Sequence, residues 1–141
     1  ITSNAGWDTK THLSFLSDLM DTFGGAGIRT SIFVGTDIEL IEYAAKAGVD
    51  RVELYTESYA RMFPKDPEAA IAPFILTAQA ARDCDLGLNA GHDLNLENLE
   101  YFIRNIPWTD EVSIGHAIIC DALYMGLERT IKAYLSKVHI F

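Results

Sequence analysis

Segments with strand character and segments with helical periodicity alternate along the whole chain. A helical segment marked by Leu13, Leu16 and Phe23 comes first and stops at Gly24–Gly25. Each of four predicted strands is then followed by a helical segment, and these strands cover residues 29–34, 51–55, 86–90 and 111–114. Short connections between alternating strands and helices imply parallel strands joined by right-handed crossovers. The sequence therefore predicts an α/β fold built on a four-stranded parallel sheet.

Local capping and breaking residues set the ends of the predicted helices. A Thr36–Glu39 capping box begins the second helix, and Gly48 ends it. Asp66–Pro67 begin the third helix, which Pro73 kinks or breaks. Asn95 caps a helix over 96–103, and one long amphipathic helix covers 117–135.

Two architectures fit four such units: a small open doubly wound sheet, or half of an (α/β)8 barrel of the TIM type. Apolar residues occupy one face of the predicted strands, whereas Glu53, Asn89 and Ser113 occupy the other. A parallel sheet covered on both faces reads as nearly continuous apolar residues. A barrel with a polar interior directs these three residues inward, so the pattern favours the barrel.

Charge and apolar run length exclude two classes of partner. The chain has 20 acidic and 11 basic residues, a formal net charge of −9, and no cluster of Lys and Arg. A nucleic-acid partner requires a basic face, and a membrane span requires about 20 apolar residues in a row, so neither is expected. Cys84 and Cys120 lack the spacing of metal ligands, which is typical of reduced thiols in a cytoplasmic protein. Any phosphate site must be local, made from backbone N–H groups and a few side chains.

Two Gly-His pairs, each directly after a predicted strand, are the most informative feature for function. They are Gly91–His92 and Gly115–His116, and parallel α/β proteins collect their chemistry at such strand ends. Glycine permits close backbone approach to a ligand, and histidine exchanges a proton near neutral pH. The plainer alternative is that each glycine ends a strand and each histidine caps the next helix. The second pair also opens the last helix, whose free N–H groups favour an anion.

Glu53 in the second strand has two interpretations. It is either a functional carboxylate inside the barrel or the partner of Arg51, which lies two positions away on the same face. The histidines and cysteines show no metal-ligand spacing, so no metal is expected.

Four segments of the chain stand out together: AGIRTSIFVGTD, RVELYTESYA, GLNAGHDLNLENL and EVSIGHAIICDALYMGL. They resemble the C-terminal half of the pyridoxine 5′-phosphate synthase family of vitamin B6 biosynthesis. The opening ITSNAGWD is similar to the loop after the fourth strand of that family. The resemblance implies that residues 1–141 are the C-terminal half of a single (α/β)8 barrel domain, with strands five to eight and the C-terminal helix. It also implies a homo-oligomer, which is usually an octamer in that family.

The resemblance also implies a reaction and the residues that perform it. Small phosphorylated substrates, 1-deoxy-D-xylulose 5-phosphate and 3-amino-2-oxopropyl phosphate, condense to pyridoxine 5′-phosphate, phosphate and water without a metal or organic cofactor. His92 matches the general acid, and Glu53 matches a carboxylate that stabilises the transition state. Asp93 matches a substrate-contacting position that some members fill with glycine, so only its backbone contact carries over. Gly115–His116 match a contact to the phosphate of the amino ketone, and Thr2 matches a contact to the sugar phosphate.

Several functional residues of that family precede the matching segment and have no counterpart here. They are an Asn-Asp-His loop, a His-x-Arg pair and a Glu that serves as a second base. We therefore expect the chain to be inactive alone, its sheet edges to favour aggregation, and a companion N-terminal fragment to complete the barrel. The alternatives are a doubly wound binding module, which lacks its usual GxGxxG or GxxxxGK[ST] motif here, and a non-catalytic phosphate-binding or scaffolding half-barrel.

Overall fold

The structure, a computed structural model, describes residues 5–139. Helices and strands alternate through this range as the sequence predicts. The elements are α1 (Leu13–Gly25), β1 (Ser31–Val34), α2 (Ile38–Ala47), β2 (Arg51–Leu54), α3 (Glu57–Met62), α4 (Pro67–Asp83), β3 (Gly87–Ala90), α5 (Leu99–Asn105), β4 (Glu111–Val112), α6 (His116–Met125) and α7 (Leu127–Val138).

The strands form one parallel sheet in the order β1-β2-β3-β4. The helices follow the same order, because α1 packs on α2, α2 on α4, α4 on α5, and α5 on α7. A doubly wound sheet reverses its strand order at a switch point, and this sheet contains no such reversal within residues 5–139. The predicted α/β class and parallel sheet are confirmed, and the observed order is the one that a barrel arc requires.

The two faces of the sheet differ as the strand alternation predicts. Val34, Val52 and Leu54 are fully buried, and they form one core with helix residues such as Ile41 and Phe74. Burial of each large apolar side chain contributes about 1.5–3 kcal/mol. The opposite face carries a row of aligned residues, Phe33, Glu53, Asn89 and Glu111. We call it the concave face.

Side chains from the two edge strands meet on the concave face. Arg29, just before β1, forms an ion pair with Glu111 of β4, with 2.8 Å between Nη1 and Oε1. In a flat sheet three spacings of about 4.8 Å would hold the edge strands about 14 Å apart. Ser113, after β4, also reaches Glu53 of β2 across the intervening strand. These contacts bring residues of or beside β1 and β2 together with residues of or beside β4 across the intervening strands, the arrangement expected of a sheet that curls toward this face.

The predicted capping box of α2 was wrong by one residue. Asp37 caps the helix, because its Oδ1 accepts a hydrogen bond from the backbone N–H of Glu39 at 2.9 Å. Thr36 lies one position too early for this bond. The predicted C-terminal stop is confirmed, since Gly48 adopts the left-handed conformation with a φ of 86°.

Helix α4 starts as predicted but is not split by its internal proline. The Asp66 side chain accepts a hydrogen bond from Ala69 N–H at 3.0 Å, and Pro67 occupies the first helical position. Pro73 removes one backbone donor inside the helix, yet α4 runs unbroken from Pro67 to Asp83. Ile71 and Phe74, on either side of the proline, are buried and hold both parts of the helix on the core.

Two further helix boundaries differ from the sequence predictions. Asn95 does not cap a helix at 96; its Oδ1 accepts hydrogen bonds from the N–H groups of Glu97 and Asn98 in a turn, and α5 begins at Leu99. The long helix predicted over 117–135 is two helices. Gly126, with a φ of 79° and a ψ of 146°, separates α6 from α7. This backbone conformation is favourable only for glycine, so the chain changes direction there.

Short elements account for the remaining differences. The sequence prediction omitted α3, a helix of 6 residues directly after β2. The last strand, predicted over 111–114, contains only Glu111–Val112. Among residues 5–139 no helix is both long enough and apolar enough to cross a membrane.

Candidate active site

His92 lies directly after β3, within a cluster of three rings from consecutive strands. Its ring centroid is 5.6 Å from that of Phe33 and 5.8 Å from that of Tyr55, with interplanar angles of 30° and 29°. Phe33 and Tyr55 also contact each other at 5.3 Å. These separations are typical of stabilising ring pairs. The cluster therefore holds the imidazole at the carboxyl ends of the strands, where the sequence predicts chemistry.

Glu53 lies half-buried on the concave face, below this cluster. Burial raises the pKa of its carboxyl above the ordinary range, while the nearby His92 and a contact from Ser113 oppose the rise. Ser113 Oγ lies 3.5 Å from Glu53 Oε2, the outer limit for a hydrogen bond. Glu53 therefore shares one face of the sheet with Phe33 and Asn89, as strand alternation predicts.

Arg51 does not pair with Glu53, so the ion-pair interpretation of Glu53 was wrong. Its guanidinium lies 3.4 Å from Asp110 and 3.7 Å from Glu111, and it donates a hydrogen bond to Asn89 Oδ1 at 3.2 Å. This network lies toward the amino ends of the strands. Asp110 and Glu111 attract Arg51 toward the amino ends of the strands. The carboxylate of Glu53 therefore has no arginine partner in this network and lies near the carboxyl ends.

Gly91 allows Glu53 and the His92 loop to lie close together. A Cβ atom added to Gly91 would lie 3.1 Å from Glu53 Oε1 and 3.1 Å from the carbonyl oxygen of Leu54. These distances are tighter than ordinary van der Waals contact, and Gly91 is buried. In the first Gly-His pair the glycine therefore permits close packing, and the partly buried histidine ring stacks on neighbouring rings instead of capping a helix.

Asp93 is anchored through its backbone on both sides. Its N–H donates to Thr56 Oγ1 at 3.4 Å, and its carbonyl oxygen accepts from Asn98 Nδ2 at 3.3 Å. Thr56 in turn donates to the Gly91 carbonyl at 3.1 Å. The Asp93 Oδ2 atom lies 3.5 Å from His92 Nε2, an ion-pair distance without hydrogen-bond alignment. Within residues 5–139 this buried oxygen has no hydrogen-bond partner.

The sequence prediction missed the residues that support this loop. Thr56 and Asn98 are both buried, and the Tyr59 hydroxyl donates to the Asn98 carbonyl at 2.7 Å. Phe33 was read only as part of a strand, although strand alternation places it on the same face as Glu53. That alternation was the available signal for Phe33. Nothing local marks Thr56 or Asn98, because their partners lie 35–39 residues away in the chain or across a turn.

The second Gly-His pair lies at the start of α6. Gly115 is the N-cap residue and has open space around it, and His116 Nε2 lies 3.5 Å from Cys120 Sγ. Both residues are exposed. In the part of the chain that the structure describes, no hydrogen bond or ring contact joins His116 to His92. Thr2 lies outside the described residues.

Chemically, the site offers an imidazole and a partly desolvated carboxylate, groups able to donate, accept or stabilise a proton. Within residues 5–139 no three His, Cys, Asp or Glu side chains are grouped so that they could hold a metal ion. The fold and this site define an α/β protein whose acid–base groups lie at the carboxyl ends of parallel strands.

Comparison with known proteins agrees with this class. The model of the family described as "Pyridoxal phosphate biosynthesis protein PdxJ" matches residues 1–139, and the chain belongs to this family. A protein of Phocaeicola vulgatus named pyridoxine 5′-phosphate synthase is 74% identical over 134 residues, covering 95% of this chain and 56% of the relative. Proteins of the same name from Bacteroides thetaiotaomicron and Cytophaga hutchinsonii are 68% and 60% identical, covering 56% and 58% of those relatives and 95% and 98% of this chain. The chain thus spans about half the length of the curated relatives it matches.

Proposed function

We propose that the chain is one half of a pyridoxine 5′-phosphate synthase, with strands five to eight of an (α/β)8 barrel and its C-terminal helices. Three findings support this: the family membership, the printed name of the relatives, and a singly wound parallel sheet that curls toward one face. The observation that carries the proposal is the position of Glu53 beside the loop that carries His92, since a Cβ atom at Gly91 would lie 3.1 Å from Glu53 Oε1.

The proposed reaction condenses 1-deoxy-D-xylulose 5-phosphate with 3-amino-2-oxopropyl phosphate to give pyridoxine 5′-phosphate, phosphate and water. His92 acts as the general acid and delivers a proton to a hydroxyl that leaves as water. The carboxylate of Glu53 stabilises positive charge that develops in the transition state. Its partial burial strengthens this electrostatic effect, because fewer water molecules screen the charge.

The phosphate groups of both substrates need local sites in a chain of net charge −9. Gly115–His116 contact the phosphate of the amino ketone in this proposal, supported by the free N–H groups at the start of α6, a helix of 10 residues. Thr2 contacts the sugar phosphate, and Asp93 contributes a backbone contact. No cofactor takes part.

In this proposal a second half-barrel completes the active site. Residues 1–141 form the C-terminal half of one domain, and the other half, carried for example by a companion N-terminal fragment, supplies the second base and the arginine contacts. The complete barrel is a cytoplasmic homo-oligomer, an octamer in the family. Alone, this chain turns over no substrate, because it holds one of the three proton-transfer residues that the reaction requires.

A chimera tests the function directly. Residues 5–139 replace the matching segment of the Phocaeicola vulgatus relative, and the purified chimera is assayed for pyridoxine 5′-phosphate with both substrates. We expect turnover, and we expect H92N to lower kcat by about 10²- to 10⁴-fold, the usual contribution of a general acid. H139N, at an exposed histidine of the chain end, is the matched control and should keep full activity.

Two results would contradict the proposal. A chimera that folds and assembles but makes no product would favour the scaffolding alternative. An H92N variant with unchanged kcat would remove His92 from the chemistry. Thermal melts of each variant separate these results from simple unfolding.

A further inference from the structure

The carboxylate of Asp93 occupies an unusual position beside the His92 ring. Its Oδ2 atom is buried without a hydrogen-bond partner among residues 5–139, and His92 Nε2 lies 3.5 Å from it. A buried carboxylate oxygen without a donor costs free energy that folding must offset. In this contact, an N–H group at Nε2 is the donor that can form a hydrogen bond with the buried oxygen.

Both partners of this contact are fixed by other residues. The backbone of Asp93 is bonded through its N–H to Thr56 and through its carbonyl to Asn98. The His92 ring is packed against Phe33 and Tyr55. The 3.5 Å contact therefore joins a packed ring to a loop whose backbone is anchored on both sides of Asp93.

We propose that Asp93 is a positioning residue for His92: its carboxylate holds a proton on Nε2 and leaves Nδ1 as the nitrogen that exchanges a proton with substrate. A neutral imidazole carries one N–H, and an acceptor beside one nitrogen decides which nitrogen keeps it. The tautomer follows from geometry alone, whereas the catalytic part rests on the proposed function.

In the proposed proton-transfer step, the imidazolium of His92 gives its Nδ1 proton to the oxygen of the leaving hydroxyl. The carbon–oxygen bond breaks, and its electron pair leaves with the oxygen as water. The second base, which the other half of the barrel supplies in the proposed function, removes a proton from the neighbouring carbon, and the electron pair of that carbon–hydrogen bond forms the new double bond. The ring remains neutral with its proton on Nε2, facing Asp93. No other oxidant, reductant or co-reactant enters this step.

Nitrogen-15 NMR of the histidine-labelled chain tests the tautomer without any catalysis. Spectra recorded at about pH 9, more than two units above the ordinary imidazole pKa, report neutral rings. We expect a protonated Nε2 and an unprotonated Nδ1 for His92, assigned by loss of its signals in H92N. D93N should shift this equilibrium, and E97Q, which removes a charge from an exposed residue of the same loop, should not. A wild-type ring protonated on Nδ1, or a D93N spectrum identical to wild type, would overturn the proposal.

Kinetics of the chimera provide the second readout. We expect D93N to lower kcat about 10- to 100-fold, in the lower part of the range for acid–base groups, with KM changed less than about threefold. D93E should restore part of the kcat, because it returns a carboxylate, and E97Q should match the parent. A D93N variant that folds and keeps its kcat, or that changes KM alone, would refute the catalytic part. An inactive parent chimera would refute the proposed function instead, and the NMR result would still decide the tautomer.

Discussion

At the scale of single residues, Glu53 combines a functional position with an unfavourable environment. It lies half-buried on a face otherwise lined by a ring, an amide and a second carboxylate, and burial raises the pKa of its carboxyl. A residue selected for stability alone would be neutral here. The conflict is typical of functional sites, where preorganised charge is kept at the expense of folding free energy.

Glu53→Gln should therefore stabilise the chain at neutral pH. Burial raises the pKa of Glu53 in the folded state above its unfolded value, so its contribution to stability is complete below the ordinary glutamate pKa of about 4.3 and is lost as pH rises through the raised pKa. Urea unfolding should show the variant more stable than wild type at pH 7, with a difference that shrinks toward pH 4. In an H92N background the difference in free energy of unfolding at pH 7 should be larger, since the imidazole no longer opposes the rise in the pKa of Glu53. A difference that stays constant with pH would contradict this explanation.

Single residues also show how far the sequence could predict the site. Glu53 and His92 were found because strand alternation and a Gly-His pair are local patterns. The orientation of His92 was not predictable, because it depends on Phe33 and Tyr55 from two other strands and on the register that aligns them. The same reason explains why Asp93 was predicted only as a backbone contact, although its side chain faces His92.

At the scale of elements, the C-terminal end of α2 was predictable from the sequence, whereas its N-cap residue was not. The left-handed Gly48 was predictable from its residue type, whereas two adjacent polar residues, Thr36 and Asp37, competed for the N-cap. The hydrogen bond from Glu39 N–H to Asp37 Oδ1 decides between them.

Substitution of each N-cap candidate by alanine tests this assignment. D37A should lower the free energy of unfolding by about 1 kcal/mol, because the Glu39 N–H loses its acceptor. T36A is the matched control and should cost less than about 0.5 kcal/mol, the usual effect of a change that removes no specific contact. Equal losses in urea unfolding would show that the helix end shifts between the two residues.

The division between α6 and α7 could not be read from the sequence. A glycine inside a helical pattern is compatible with a continuous helix at a cost of about 1 kcal/mol, and Leu127 to Leu135 continue the apolar spacing. Gly126 ends α6 because its φ of 79° lies outside the helical region. The sequence pattern predicts that this segment is helical, but it does not predict the change of chain direction at Gly126.

At the scale of the whole molecule, α6 is the one helix within residues 5–139 that has no buried residue. Leu123 and Tyr124 are 81% and 92% exposed. Contiguous apolar surface of this kind favours association in water. Within residues 5–139 the edge strands β1 and β4 also leave backbone groups unpaired, which favours association as well.

We therefore predict that the isolated chain self-associates and that L123E reduces this association. The side chain is exposed, so its replacement should change the free energy of unfolding by less than about 0.5 kcal/mol. L76E is a matched control, since Leu76 is also exposed but lies on α4. Sedimentation velocity at increasing concentration measures the effect, and equal sedimentation of the two variants would show that α6 is not the associating surface.

The order of the strands was predictable from the alternation of elements, but the curl of the sheet was not. Curvature is defined by contacts such as that between Arg29 and Glu111, residues that no local pattern connects. Both side chains are about half-exposed, so the pair contributes little free energy, at most about 1 kcal/mol.

The contact between Arg29 and Glu111 also bears on how quickly the chain folds. The two residues are 82 positions apart, so more than half of the 141-residue chain must be synthesised and ordered between them. Local helix formation takes about a microsecond or less, whereas pairing of distant segments must first overcome the entropy of closing the intervening loop. The neighbouring strand pairs have much shorter separations and can form one after another from β1. We therefore expect the curl to be a late event, set only when β4 is in place, and the slowest folding step to belong to the edge of the sheet rather than to its core.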